Sequence, residues 1–236
     1  VTASERETPF WGFGEILVAV LAFLIALQAI VLAAHRFTGN SSRLGYLALA
    51  EEFLAYLAMF AALKVLFQMQ GHPLLKSLGW VPQSFSAINL AAWGIFLFFI
   101  GFALQILLRM PVETQTPFEK MLYSDPFSRF AIAAFGITVG PVIEELLFRG
   151  LLQPVLVSAT GVFPGILITA LLFAALHLQQ NAFLWQSGVI IGIAGFGFGV
   201  ARHITGSTRA SSIMHVAYNA LPFAATLLQG APPNHK

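Results

Sequence analysis

The residues best suited to chemistry in this sequence are Glu144, Glu145 and Arg149, in the run Gly140-Pro141-Val142-Ile143-Glu144-Glu145-Leu146-Leu147-Phe148-Arg149-Gly150. The run is otherwise apolar and reads as a helix. Glu145 and Arg149 are four residues apart, so they stack on one face with the acid on the N-terminal side and can pair. Glu144 is turned about 100° away from Glu145. It therefore points elsewhere and needs a partner of its own. Two later apolar runs offer partners. His177 ends Phe173-Ala174-Ala175-Leu176-His177, and His215 and Asn219 share a face in Met214-His215-Val216-Ala217-Tyr218-Asn219. A carboxylate and an imidazole can hold and deprotonate a water. A second imidazole and an amide can donate hydrogen bonds to an oxyanion. Together these groups could hydrolyse a peptide bond with an activated water and no covalent intermediate.

Other protease designs fail on simple counting. A His-Glu-x-x-His metalloprotease needs that string, and no histidine here is followed by glutamate. An aspartyl design needs two aspartates, and Asp125 stands alone. No Gly-x-Ser-Gly turn lies in an apolar run, and the absence of cysteine removes any thiolate nucleophile or cysteine-bound metal. The pair Glu51-Glu52 reads as an interfacial pair near a helix start. Its functional alternative, a proton or cation site, has no basic residue one turn on. His35, His72, His203 and His235 fall in loops or tails and receive no role.

The elements that carry these residues are set by composition. Of 236 residues, 58% are hydrophobic and 9% charged, with a net charge of +2; mean hydropathy is +0.80. Soluble domains carry roughly a quarter charged residues, so this composition describes an integral membrane protein. It excludes a disordered chain, a disulfide scaffold and a nucleic-acid binder. A membrane-crossing helix needs about 20 apolar residues. Seven such runs are expected near 16–34, 45–68, 87–108, 130–149, 161–178, 184–201 and 211–229, with an eighth allowed. Turn residues separate them, among them Thr38-Gly39-Asn40-Ser41-Ser42, Gly71-His72-Pro73 and Gly161-Val162-Phe163-Pro164. The fold class is all-α, a polytopic helical bundle forming one membrane domain over 1–236.

The first run is expected to be a span rather than a cleaved signal, being long and without a basic flank; Glu5 to Glu7 form a polar leader. Alternating the runs puts Arg6, Lys64, Lys76, Arg202 and Arg209 on one side. Arg36, Arg43, Arg109, Lys120, Arg129 and Lys236 fall on the other. That distribution shows no positive-inside bias. Gly188, Gly192, Gly195 and Gly199 stripe the sixth run as a close-packing face, which would let the polar-bearing helices converge.

Three motifs in order, Glu144-Glu145-x-x-x-Arg149, Phe173-x-x-x-His177 and His215-x-x-x-Asn219, resemble those of the CPBP family of intramembrane proteases. That family includes CAAX-processing endopeptidases and bacterial bacteriocin-processing or self-immunity proteins. Pro141 before the Glu pair, Phe148-Arg149-Gly150-Leu151-Leu152 after it and Thr205-Gly206-Ser207 before the last motif also agree. The resemblance covers residues 118–222, the expected catalytic core. It implies that Glu144 is the base for a water also held by His177. His215 and Asn219 would be oxyanion donors, Glu145 and Arg149 a pair that fixes the helix and tunes Glu144, and Phe173 a packing residue.

The expected activity is a CAAX-type intramembrane endopeptidase acting on a membrane-associated peptide or protein. No cofactor is required in that reading. Zinc is the alternative, with Glu144, His177 and His215 as three ligands and one open position; Asn219, a poor zinc ligand and a good oxyanion donor, favours the metal-free form. The other classes are a non-catalytic scaffold or self-immunity protein of the same fold, and a small transporter using Glu51, Glu52 and the Glu144 cluster. The compact loops suggest a bacterial cytoplasmic membrane and an unprenylated substrate.

Overall fold

The computed structural model describes residues 8–38, 45–111 and 116–229. The Gly39–Ser42 turn, the polar leader at Glu5 to Glu7, and Arg43, His235 and Lys236 lie outside them. Long helices dominate: α1 (Phe13–Thr38), α2 (Gly45–Met69), α4 (Ala87–Leu107), α9 (Val162–Leu178), α10 (Trp185–Thr205) and α11 (Thr208–Gln229). Between them lie the short helices α3 (Leu74–Ser77) and α5 (Pro117–Leu122), and the composite rod α6 (Pro126–Ile137), α7 (Val139–Glu145), a π-helical turn (Leu146–Leu152) and α8 (Gln153–Thr160).

Every apolar run expected from the sequence is helical. Among the described residues, four helices, α1, α2, α4 and α10, are long and apolar enough to cross a membrane, and the bent rod from Pro126 to Thr160 would make a fifth. The count of seven therefore needs correction by that strict measure. Helix α9 has only 17 residues. Helix α11 has the length, 22 residues, but Ser211, Ser212, His215 and Asn219 lower its apolarity. Side chains such as Ile25, Ile88, Phe99 and Leu176 are exposed around the bundle, which suits a hydrocarbon solvent.

The run expected as one span over 130–149 is broken at Thr138, where the rod bends by 43°. Pro141 has no N–H to offer the carbonyl of Ile137, so the helix cannot continue through this turn. The Thr138 hydroxyl instead donates back to Ala134 O at 2.6 Å. Farther along, Pro154 cannot close an α-turn on Gly150, and the ladder there runs in π register.

Two apolar cores flank the region between. One joins α1 and α2 to the π turn and α8 through Leu63, Phe67, Leu146, Leu151 and Val155, with Trp11 Nε1 donating to Leu151 O at 2.9 Å. The other joins α4, α10 and α11 through Leu90, Ala194, Phe198, Ala210 and Met214. Helix ends are tied into the same frame. The first N–H groups of α2, at Gly45 and Tyr46, donate to Ser124 and Ser128 at 2.9 Å each. Asp125 caps α6 by accepting from Phe127 and Ser128 N–H. At the start of α11, Thr208 N–H donates to Gly79 O at 2.8 Å and Ser207 to Val81 O at 2.5 Å. These ties satisfy terminal donors that lipid could not.

Candidate active site

The rod presents Glu144 and Glu145 on different faces, as the helical offset requires. Glu145 points into the protein and is fully buried, as is Arg149. Arg149 Nη1 donates to Glu145 Oε1 at 3.0 Å, and Nη2 donates to Gly195 O on α10 at 2.7 Å. The guanidinium also lies over Phe173, 4.6 Å from the ring centroid, where a desolvated cation gains from the ring's negative face. One turn on, Gln153 Nε2 repeats the pattern with Gly199 O at 3.0 Å.

The glycine stripe explains how α10 comes close enough for this. A Cβ at Gly195 would stand 3.1 Å from both Arg149 Nη2 and Phe173 Cδ1. At Gly199 it would meet Ile166 at 2.8 Å and Gln153 Oε1 at 2.9 Å, whereas at Gly192 it would find ordinary packing distance. Gly195→Ala is therefore expected to lower stability by about 1–3 kcal/mol, the usual cost of overpacking. A thermal melt of the detergent-purified protein measures it; an unchanged midpoint would mean that Arg149 does not need this approach.

His215, 3% exposed, bridges the two carboxylates. Its Nδ1 donates to Glu145 Oε1 at 3.0 Å, and its Nε2 lies 3.6 Å from Glu144 Oε2. Phe198 stacks on the imidazole at 4.5 Å between centroids. His177 approaches from α9. Its Nδ1 lies 2.7 Å from Phe173 O, so that nitrogen carries the proton and donates it. The other nitrogen, Nε2, faces Glu144 Oε1 at 3.9 Å with its lone pair free. Phe173 thus packs against Arg149 and also fixes the His177 tautomer.

Asn219, one turn beyond His215, donates one amide hydrogen to Gly136 O at 2.9 Å. That carbonyl sits in the last turn of α6, next to the break at Thr138, where helix carbonyls lack partners. The second amide hydrogen of Asn219 is not used in that bond.

Glu144, His177, His215 and Asn219 all line one cavity of about 380 Å³, and Phe173, Phe198 and Tyr218 form its apolar wall. Glu144 is 28% exposed there and His177 23%, whereas Glu145 and Arg149 stand behind the wall. The structure thus brings the six residues expected from the sequence into one constellation, four at the cavity and two buried in support. Among the described residues, no three histidine, aspartate or glutamate side chains converge as a metal-holding group. The 3.6 and 3.9 Å gaps from Glu144 to the imidazoles exceed hydrogen-bond length, and a water can sit between such groups.

One carboxylate at this cavity was not expected from its motif. Glu52, on α2, lines the same space, with Tyr56 OH donating to its Oε1 at 3.1 Å. Of the pair Glu51-Glu52, it is Glu52 that faces the cavity. The available signal was Tyr56, one turn away: a phenol partner rather than the basic residue the pairing pattern suggests.

Residues 126–221, which hold all three motifs, match the family model for type II CAAX prenyl endopeptidase Rce1-like proteins, the family the three motifs resemble. No curated protein and no solved structure matches the chain.

Proposed function

From a chain whose residues 126–221 match the type II CAAX prenyl endopeptidase family, we propose an integral membrane endopeptidase that cuts a membrane-associated peptide with a glutamate-activated water. The observation that carries this reading is the arrangement around Glu144. Of the adjacent pair Glu144-Glu145, it is the carboxylate that reaches the cavity, and it faces the lone-pair nitrogen of His177 across a gap too long for a direct bond. A scaffold protein has no use for a half-exposed acid held this way.

The water between Glu144 and His177 gives a proton to the Glu144 carboxylate. Its oxygen attacks the scissile carbonyl carbon, and the carbonyl oxygen becomes an oxyanion. The free amide hydrogen of Asn219 donates to it. His215 donates through Nε2 in its imidazolium form, because Nδ1–H is already committed to Glu145. Glu145 behind the ring stabilises that imidazolium, as a buried carboxylate does behind a catalytic histidine. Arg149 keeps Glu145 ionised and in place. No metal enters these steps. The setting we propose is a bacterial cytoplasmic membrane, consistent with the short loops, and the substrate a membrane peptide cut near its C-terminus or within its embedded part.

The test uses the purified full chain in liposomes with single-span membrane peptides, in water enriched in oxygen-18. Mass spectrometry is expected to find new peptide ends with one heavy oxygen in the new carboxyl group, and 1,10-phenanthroline to leave the rate unchanged. Chelator inhibition reversed by zinc would overturn the metal-free mechanism. Ion flux without any new peptide ends would favour a transporter.

A further inference from the structure

Resting on that endopeptidase reading, we infer that Glu52 is a second catalytic carboxyl group, the one that protonates the leaving amine. The hydrolysis needs one more proton transfer, for which Glu144, newly protonated on the side of the attacked carbon, and Glu52 on the facing wall are the two carboxyl groups at hand. When the tetrahedral intermediate collapses, the C–N bond breaks and the nitrogen must take a proton, because an amide anion does not leave near neutral pH. In bulk water the solvent supplies it. In a cavity walled by Phe173, Phe198 and Tyr218, with few waters at hand, a positioned acid group does this faster than water.

Glu52 meets the requirements. It lies on α2, on a different wall of the cavity from the helices that carry Glu144, His177 and His215. A substrate bond placed between the walls would have its attacked carbon near Glu144 and its nitrogen towards α2. Tyr56 OH donates to Glu52 Oε1 at 3.1 Å, which orients the carboxyl group and leaves Oε2 for the cavity. Glu52, Glu144 and His177 share this one cavity. No lysine or arginine is among the residues lining the cavity, and the one cation of the mechanism, His215, is held between Glu144 and Glu145, which leaves Glu52 without a counter-charge of its own. Two carboxyl groups in such a space are best accommodated when they hold one proton between them, and that is the starting state the reaction needs. A charged group within a span is also costly enough that one facing an internal cavity marks a functional position by default.

The protons balance. Glu144 starts ionised and Glu52 protonated. Water gives a proton to Glu144 and its oxygen to the carbonyl carbon. Glu52 gives its proton to the nitrogen as the C–N bond breaks. The proton on Glu144 then returns to Glu52 through the cavity water, restoring both groups, and one water has been consumed per bond cut. Support of His215 by Glu145 and Arg149 is not part of this step.

The experiment compares two versions of one membrane peptide that the wild-type protein cuts, one with the scissile amide and one with a thioester in its place. A thiolate leaves without a proton, whereas an amine does not. Glu52→Gln is expected to lower kcat on the amide by about 100-fold, at the low end for loss of a general acid, and to change the thioester rate by less than about twofold. Glu144→Gln is expected to abolish both reactions, since both need the activated water. An unchanged amide rate in Glu52→Gln overturns the proposal and leaves the endopeptidase reading standing. An equal fall on both substrates also overturns it, because that pattern belongs to a structural residue. If Glu52→Gln does not fold, Glu52→Asp carries the test: it keeps the acid but withdraws it by one methylene, so the amide rate alone should fall. Wild-type protein that cuts neither substrate would instead reject the endopeptidase reading itself.

Discussion

Replacing Glu144 with Gln is expected to lower peptide cleavage by about 10³-fold or more while leaving the protein folded. The size follows from the loss of a positioned base, which contributes roughly 10²–10⁴-fold; a glutamine amide has no lone pair basic enough to take the proton of water. The preserved fold follows from the surroundings. Glu144 is 28% exposed, and its closest imidazole nitrogens stand at 3.6 and 3.9 Å, so no tight hydrogen bond is lost. Glutamine has nearly the same volume, and the Glu145–Arg149 pair behind the wall is untouched. Initial rates on a membrane peptide, set beside thermal melts of the same preparations, separate the two effects. A variant that keeps the wild-type rate would remove Glu144 as the base, and a variant that loses its melt would make Glu144 structural.

The contrast between adjacent glutamates was legible in the sequence because it depends only on helix geometry. A 100° offset sends one carboxylate to the cavity and the other to Arg149 whatever the rest of the fold does. The His215–Asn219 spacing was legible for the same reason. So was the glycine stripe, whose members at 195 and 199 let Arg149 and Gln153 reach the carbonyls of α10. The bend at Thr138 and the π register after Glu145 were harder. Their causes, Pro141 and Pro154, are plain in the sequence, but a proline specifies only a missing hydrogen bond, not how the next turn compensates. Helices α9 and α11 fall short of a simple apolar span, and for α11 part of the reason is the site itself: His215 and Asn219, which line the cavity, dilute its hydrophobicity together with Ser211 and Ser212, which donate to Thr208 O. Glu52 was the least legible. Which face of α2 meets the cavity is fixed by the anchoring of Gly45 and Tyr46 on Ser124 and Ser128, about 80 residues away in sequence, and no local pattern encodes that contact.

Arg149→Met is expected to destabilise the protein by about 3–5 kcal/mol, the cost of breaking a buried ion pair from one side. Glu145 would keep its charge at full burial with only His215 as donor, and Gly195 O would lose the bond made by Nη2. Lysine is not expected to rescue the site, because one ammonium cannot reproduce the fork that reaches Glu145 and Gly195 together. Unfolding in a denaturing detergent series gives the stability, and peptide cleavage gives the activity. The informative variant is the double replacement Glu145→Leu with Arg149→Met. Removing both charges at once eliminates the uncompensated carboxylate, so much of the lost stability should return, as it does when other buried pairs are replaced by apolar residues of similar volume. Activity should not return with it. In the double variant His215 Nδ1 has no carboxylate to donate to, and the imidazolium needed at the oxyanion loses its counter-charge. Recovery of stability without recovery of cleavage would assign the pair to the orientation and charge of His215. If cleavage returned in step with stability, the pair would be only a structural fastening of the rod to α10, and the oxyanion role of His215 would have to stand without Glu145.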